Sequence, residues 1–173
     1  MKTICLYFEI HQIVHLKRYR FFDIGTDHYY YDDYENERTI RDIAERSYIP
    51  ALNTIGEMIK ENGKYFRVAF SLSGVGMEQL EQYAPEVLDK LVELNKTGCV
   101  EFLAEPYAHG LSALKDNTMF ALNVKNQCDK MVEYFGKRPT VLRNSSLIYS
   151  DDIGLQASEM GFKGMLTEGA KHV

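Results

Sequence analysis

The chain has 173 residues, 45% hydrophobic and 26% charged, with 25 acidic residues against 20 Lys and Arg for a formal charge of -5. That length suits one domain, residues 1–173, with its own core, and the composition is that of an ordinary soluble globular protein. The acidic balance argues against nucleic acid or an anionic membrane as partner, since both need a basic footprint.

Thr3 to His11 predicts a first strand, rich in β-branched and aromatic residues and nearly continuously apolar, as a strand buried on both faces should be. Period two places Glu9 and His11 on one side, with His11 at the C-terminal end. The run Ile4-Cys5-Leu6-Tyr7-Phe8 is far short of the roughly 20 apolar residues of a membrane span. It also lacks the small-residue cleavage site of a signal peptide. The three cysteines, Cys5, Cys99 and Cys128, are widely spaced with no Cys-x-x-Cys pair, so they read as small buried thiols in a reducing cytoplasm.

Gln12 to about Asn36 is irregular and crowded with aromatics and acids, among them Tyr19, Phe21, Phe22, Asp23, Asp27, Tyr29, Tyr30, Tyr31 and Asp33. Loops beyond about 12 to 15 residues are functional or disordered, and this aromatic content argues against disorder. Two readings stand: a sugar-binding surface of aromatic faces beside carboxylates, or an aromatic-anchored cap. Within it, Lys17-Arg18-Tyr19-Arg20 is locally basic and reads as solvated surface.

Thr39 to Asn62 is helical by the spacing of Ile40, Ile43, Ala44, Leu52, Ile55 and Ile59, with Pro50 expected to break it in two and Asn62-Gly63 to end it. Tyr65 to Leu72 is the second strand. Ser73-Gly74-Val75-Gly76 follows as a small-residue turn without the Gly-Lys-Ser/Thr ending of a phosphate loop. Met77–Tyr83 and Pro85–Lys96 are helical, and Gly98–Ala104 is the third strand, running into Glu105-Pro106-Tyr107-Ala108-His109. Thr118–Phe135 is a long helix closed by Gly136. Thr140–Leu142 is a fourth strand, Asp151–Met160 a helix led by Ser150, and Lys163–Thr167 a fifth strand.

Strict alternation of strand and helix calls for an α/β fold with a parallel sheet. In such folds the site gathers at the C-terminal strand ends. His11, Ser73, Glu105, Ser146 and Glu168 all fall there.

Three motifs carry a resemblance: His11-Gln12; Glu101-Phe102-Leu103-Ala104-Glu105-Pro106-Tyr107-Ala108-His109-Gly110; and Arg143-Asn144-Ser145-Ser146-Leu147-Ile148-Tyr149. In this order they resemble the signatures of glycoside hydrolase family 57, the retaining α-amylase and glucanotransferase family. Ile13, Pro106 and Gly110 depart from the pattern. The resemblance implies the first five or so strands of an incomplete (β/α)7 barrel, acting on α-glucan or maltooligosaccharide, with His11, Glu105, His109 and Arg143 as substrate-binding residues and no metal or organic cofactor. It also implies that Ser146 stands at the nucleophile position, where the family has Glu, and that the segment bearing the acid/base Asp lies beyond these strands. No catalytic residue is then intact, because a retaining glycosidase needs two carboxylates about 5 to 5.5 Å apart. A metal-dependent deacetylase is the competing enzyme class, but no His-x-x-x-His pair lies on a helix to serve it. Unclosed sheet edges predict self-association.

Overall fold

The computed structural model describes residues 4–26 and 28–169. Strands β1 (Tyr7–Ile10), β2 (Val68–Leu72) and β3 (Val100–Leu103) form one parallel sheet in that order, and β4 (Val141–Arg143) and β5 (Gly164–Leu166) form a parallel pair. A parallel bridge from Ala104 to Leu142 joins the two, with Ala104 N–H to Val141 O at 2.9 Å and Arg143 N–H to Ala104 O at 2.8 Å. Five parallel strands therefore stand side by side in chain order. Helical crossovers link them, as parallel neighbours require.

The first crossover is α1 (Asp33–Ile43), a π-helical turn (Ala44–Tyr48) and α2 (Ile49–Asn62). Asp32 caps α1 by accepting Glu35 N–H at 3.1 Å, so the helix starts well before the expected Thr39. Pro50 does not break it. Ile49 N–H bonds five residues back to Ala44 O, and the widened turn takes up the missing proline donor at the start of α2. Ile40, Ala44, Leu52, Ile55 and Ile59 are all buried.

The small-residue stretch after β2 is the first turn of α3 (Gly74–Tyr83), not a free turn, and Ser73 caps it through Gly76 N–H at 2.9 Å. Gly76 is needed for close approach: a Cβ there would lie 2.8 Å from Ser73 Oγ and 3.3 Å from the Ile10 carbonyl. This contact seats α3 against the end of β1. Helix α4 (Pro85–Asn95) opens on proline, α5 (Asn117–Phe135) closes on Gly136 at φ 72°, and α6 (Asp151–Glu159) is capped by Ser150.

One apolar core lies between β1–β3 and α1–α5, with Phe70, Leu72, Met77, Leu91 and Met131 at its centre, and a second gathers Phe120, Val124, Cys128, Leu142 and Ile153. Two expectations need correction. β1 is not buried on both faces: among the described residues it is an edge strand paired with β2, with Leu6 and Phe8 exposed. Cys5, beside it, is exposed, whereas Cys99 and Cys128 are buried. The expected strand start at Thr3 and the loop residue Asp27 lie outside the described residues. Among the described residues, no helix is long and apolar enough to cross a membrane.

Candidate functional site

Along β1 the side chains alternate. Leu6, Phe8 and Ile10 face the helices, with Phe8 stacked on Phe70, while Tyr7, Glu9 and His11 face the opposite side of the sheet. On that opposite side Tyr7 OH lies 2.7 Å from Ser71 Oγ, and Ser71 donates to Glu105 Oε2 at 2.8 Å. The Ser71 proton is thereby committed, so the Tyr7 hydroxyl is the donor to Ser71.

Arg143, at the end of β4, is the hub. Its Nη1 and Nη2 meet Glu9 Oε1 and Oε2 at 2.6 and 2.7 Å in a two-pronged pair. Nη1 also lies 3.2 Å from His109 Nδ1 and 3.6 Å from Glu105 Oε2. Glu105 is wholly buried and Arg143 is 5% exposed. Burial pushes the Glu105 carboxyl up to about 7, with the Ser71 hydrogen bond and the Arg143 charge opposing and Glu9 adding to the rise. Glu105 Oε1 and Arg143 Nε are buried without a hydrogen-bond partner among the described residues.

His11 and His109 stack with ring centroids 4.5 Å apart. Burial lowers both imidazoles below their ordinary value, and the neighbouring His109 lowers His11 further. Ser73 Oγ accepts from Gly76 N–H at 2.9 Å and lies 2.7 Å from His11 Nδ1, which fixes the ring's orientation. His109 Nδ1 accepts from the guanidinium, and Glu9 Oε1 at 3.2 Å from the same nitrogen is no ion pair while the ring is neutral. The His109 ring is left with Nε2–H as its spare donor, a form suited to a hydroxyl-rich ligand.

Glu9, Glu105 and His109 bring ligand atoms within 4.8 Å of one another. The guanidinium of Arg143 already sits among them, so the set as it stands does not fit a metal ion.

Ser146 lies apart from this network. It is exposed, on a 3-10 turn (Ser145–Leu147) directly after β4, and its side chain makes no hydrogen bond among the described residues. The turn is fixed by Ser145 Oγ donating to Gly110 O at 2.8 Å, Asn144 Nδ2 donating to Ile148 O at 3.0 Å and Glu168 N–H bonding Leu147 O at 3.1 Å. Ser146 and Leu147 adopt φ 54° and 57°, and His109 on the neighbouring loop adopts 53°. Non-glycine residues held in this left-handed region store roughly 1 to 3 kcal/mol each and cluster at functional sites.

The family 57 glycosyl hydrolase model matches residues 5–173. The chain belongs to glycosyl hydrolase family 57. A Methanocaldococcus jannaschii protein that carries the provisional name alpha-amylase is 35% identical over 145 residues, covering 83% of this chain and 31% of that protein. Among solved structures, the 4-alpha-glucanotransferase of Thermococcus litoralis superposes with a TM-score of 0.70 at 16% identity, over 93% of this chain and 21% of the enzyme. The family 57 branching enzyme of Thermococcus kodakaraensis gives 0.62 at 14% identity, over 93% and 39%. The chain thus has the fold of the N-terminal part of family 57 barrels and spans well under half of these relatives.

Of the residues expected from the three motifs and at the C-terminal strand ends, the structure brings together His11, Glu105, His109, Arg143 and Ser73. It leaves Ser146 and Glu168 exposed on adjoining turns. Glu105 has no exposed surface, so it supports the guanidinium from beneath. Sequence reasoning missed Tyr7 and Ser71. Their signal was present: polar or amphipathic residues at every second position of β1, and one serine inside the apolar run of β2.

Proposed function

We propose that this polypeptide is an α-amylase-like family 57 barrel portion that binds α-1,4-glucan at the face of His11, His109 and Arg143 without hydrolysing it. The reading rests on Ser146, which the motif resemblance sets at the nucleophile position and whose exposed hydroxyl has no base hydrogen-bonded to it among the described residues. An unactivated hydroxyl does not attack. The carboxylates that do converge, Glu9 and Glu105, are tied to Arg143, and one of them is sealed from solvent. The spare His109 Nε2–H donor and the His11 ring stacked against it supply hydroxyl contacts. The free thiols agree with a reducing, cytoplasmic setting.

Calorimetry with maltoheptaose and reducing-sugar release from soluble starch test this together. Heat of binding without turnover is the expected result, with His11→Ala weakening binding about tenfold, the worth of one good hydrogen bond. Loss of a nucleophile costs about 10⁶ in rate in another hydrolase, so measurable turnover by the parent would sink the non-hydrolytic reading. Absence of binding would sink the glucan reading. Hydrolysis gained by Ser146→Glu alone would show that a second carboxylate is already in place, contrary to the assignment of Glu9 and Glu105 to Arg143.

A further inference from the structure

We propose that the cleft between the starts of β3 and β4 binds a small, hydroxylated phosphate monoester, at the opposite end of the strands from the His11 and Arg143 face. The inference does not depend on the glucan reading. Strands β3 and β4 are joined by a single bridge, Ala104 to Leu142. Pro139, just before β4, has no N–H with which to extend that pairing downward. The gap holds a cavity of about 220 Å³.

Its walls belong to strands with a neighbour on each side, β3 between β2 and β4, and β4 between β3 and β5. The last residues of α4 and α5 complete it. Asn95 Nδ2 donates to Phe135 O at 3.1 Å, and Phe135 stacks on Phe102 with ring centroids 3.9 Å apart. This wall is therefore packed and preformed.

Arg67, just before β2, and Lys137 and Arg138, just before β4, line the cavity from both sides of β3. In a chain of net charge -5 this is a local reversal of sign. None of the three forms an ion pair among the described residues, whereas Arg38, Arg41, Arg46 and Lys125 are each held by a carboxylate three or four positions away. The backbone N–H groups of Lys137 and Arg138, just past the left-handed Gly136, also take no backbone hydrogen bond among the described residues. Arginine forks match phosphate oxygens in pairs, and successive backbone N–H groups add anion donors.

Glu101 is the one carboxylate lining the cavity, and it too has no ion pair among the described residues. It repels a dense polyanion but accepts hydroxyl hydrogen bonds, and the Thr140 hydroxyl stands on the facing wall. Cations for a phosphate and a carboxylate for hydroxyls select an ester over the bare anion. The volume lies below the roughly 300 to 1,000 Å³ of sites for larger ligands, which limits the occupant to about the size of a sugar monophosphate.

Calorimetric titration of the whole chain at low ionic strength with glucose 6-phosphate and with inorganic phosphate tests the proposal. Glucose 6-phosphate is expected to bind with a Kd of about 1 mM or tighter, and inorganic phosphate at least about fivefold more weakly. Arg67→Gln and Arg138→Gln should each weaken the ester about tenfold. Glu101→Gln should tighten inorganic phosphate and narrow the preference for the ester. Arg18→Gln, at an exposed cation outside the cavity, should change nothing. All four substituted residues are exposed, so the variants keep the fold. No heat with glucose 6-phosphate up to about 10 mM overturns the proposal. So does binding indifferent to both cavity arginines, which would put the ligand elsewhere, or inorganic phosphate that binds as tightly as the ester.

Discussion

Replacing Arg143 with alanine lowers the unfolding midpoint by about 9 °C, from a loss of about 3 kcal/mol at roughly 3 °C per kcal/mol for a domain of this size. The guanidinium neutralises Glu9 and Glu105 at once and satisfies His109 Nδ1, and it does so while 5% exposed. Removing it strips Glu9 of its two-pronged partner and leaves Glu105, already held at about 7, more firmly protonated in its buried place beside a neutral imidazole. Breaking a buried pair in this way typically costs about 3 to 5 kcal/mol, and the lower figure applies because the Glu9 side chain keeps 30% of its surface and can rehydrate. Arg143→Lys falls between the two proteins, since an ammonium keeps the charge but cannot reach both Glu9 oxygens in parallel. Differential scanning calorimetry at pH 7 reads this directly. A shift of less than about 2 °C for the alanine variant would mean that the hub contributes no more than an exposed ion pair.

Glu105→Gln flattens the pH dependence of stability between about 4.5 and 7. The parent carboxyl is held at about 7 in the folded chain against 4.5 as its ordinary value. Between these two values the folded state keeps a proton that the unfolded state has released. Stability therefore falls as pH rises across the window and levels off above it. The full displacement corresponds to about 3 kcal/mol at 1.36 kcal/mol per unit. Gln keeps the acceptor for Ser71 and has no proton to lose, so its advantage over the parent should be small at pH 5 and grow toward that figure by pH 8. His11 and His109 act with the opposite sign, because their lowered values make stability rise with pH up to their ordinary value near 6.5. That contribution is common to both proteins and cancels in the comparison. Urea titrations at pH 5, 6, 7 and 8 measure it, and parallel profiles for parent and variant would show that Glu105 titrates as an ordinary carboxyl.

The strand and helix order was legible because each helix carries a local stop signal and each strand is a short apolar run. Gly63 and Gly136 end α2 and α5 at positive φ, and Ser150 starts α6, where the residue types say they should. The first crossover misled because Pro50 is a local signal, while the fate of its neighbours depends on where Leu52 and Ile55 must pack. β1 misled for a different reason: an apolar run does not disclose whether a second neighbour lies beside it. At the site, the three motifs pointed to His11, Glu105, His109 and Arg143, which the topology does collect. Their roles were not legible. That Glu105 is a buried support and that one guanidinium serves Glu9, Glu105 and His109 are consequences of side chains converging from β1, β3 and β4, and no spacing along the chain encodes such a meeting.

The π turn at Ala44–Tyr48 has a consequence for how this chain can change length. An ordinary helix turns about 100° per residue, so Leu52, Ile55 and Ile59 on a straight continuation would face about a quarter-turn away from Ile40 and Ala44. The wide turn absorbs one residue and brings the two stripes back into line, which is why all five are buried. One residue between Ala44 and Tyr48 is thus surplus to the helix. Its deletion would leave the apolar stripes in phase, whereas deleting a residue anywhere in Leu52–Ile59 would swing part of the stripe out of the core. Single-residue deletions within this crossover should therefore be found at that turn and not on either side of it.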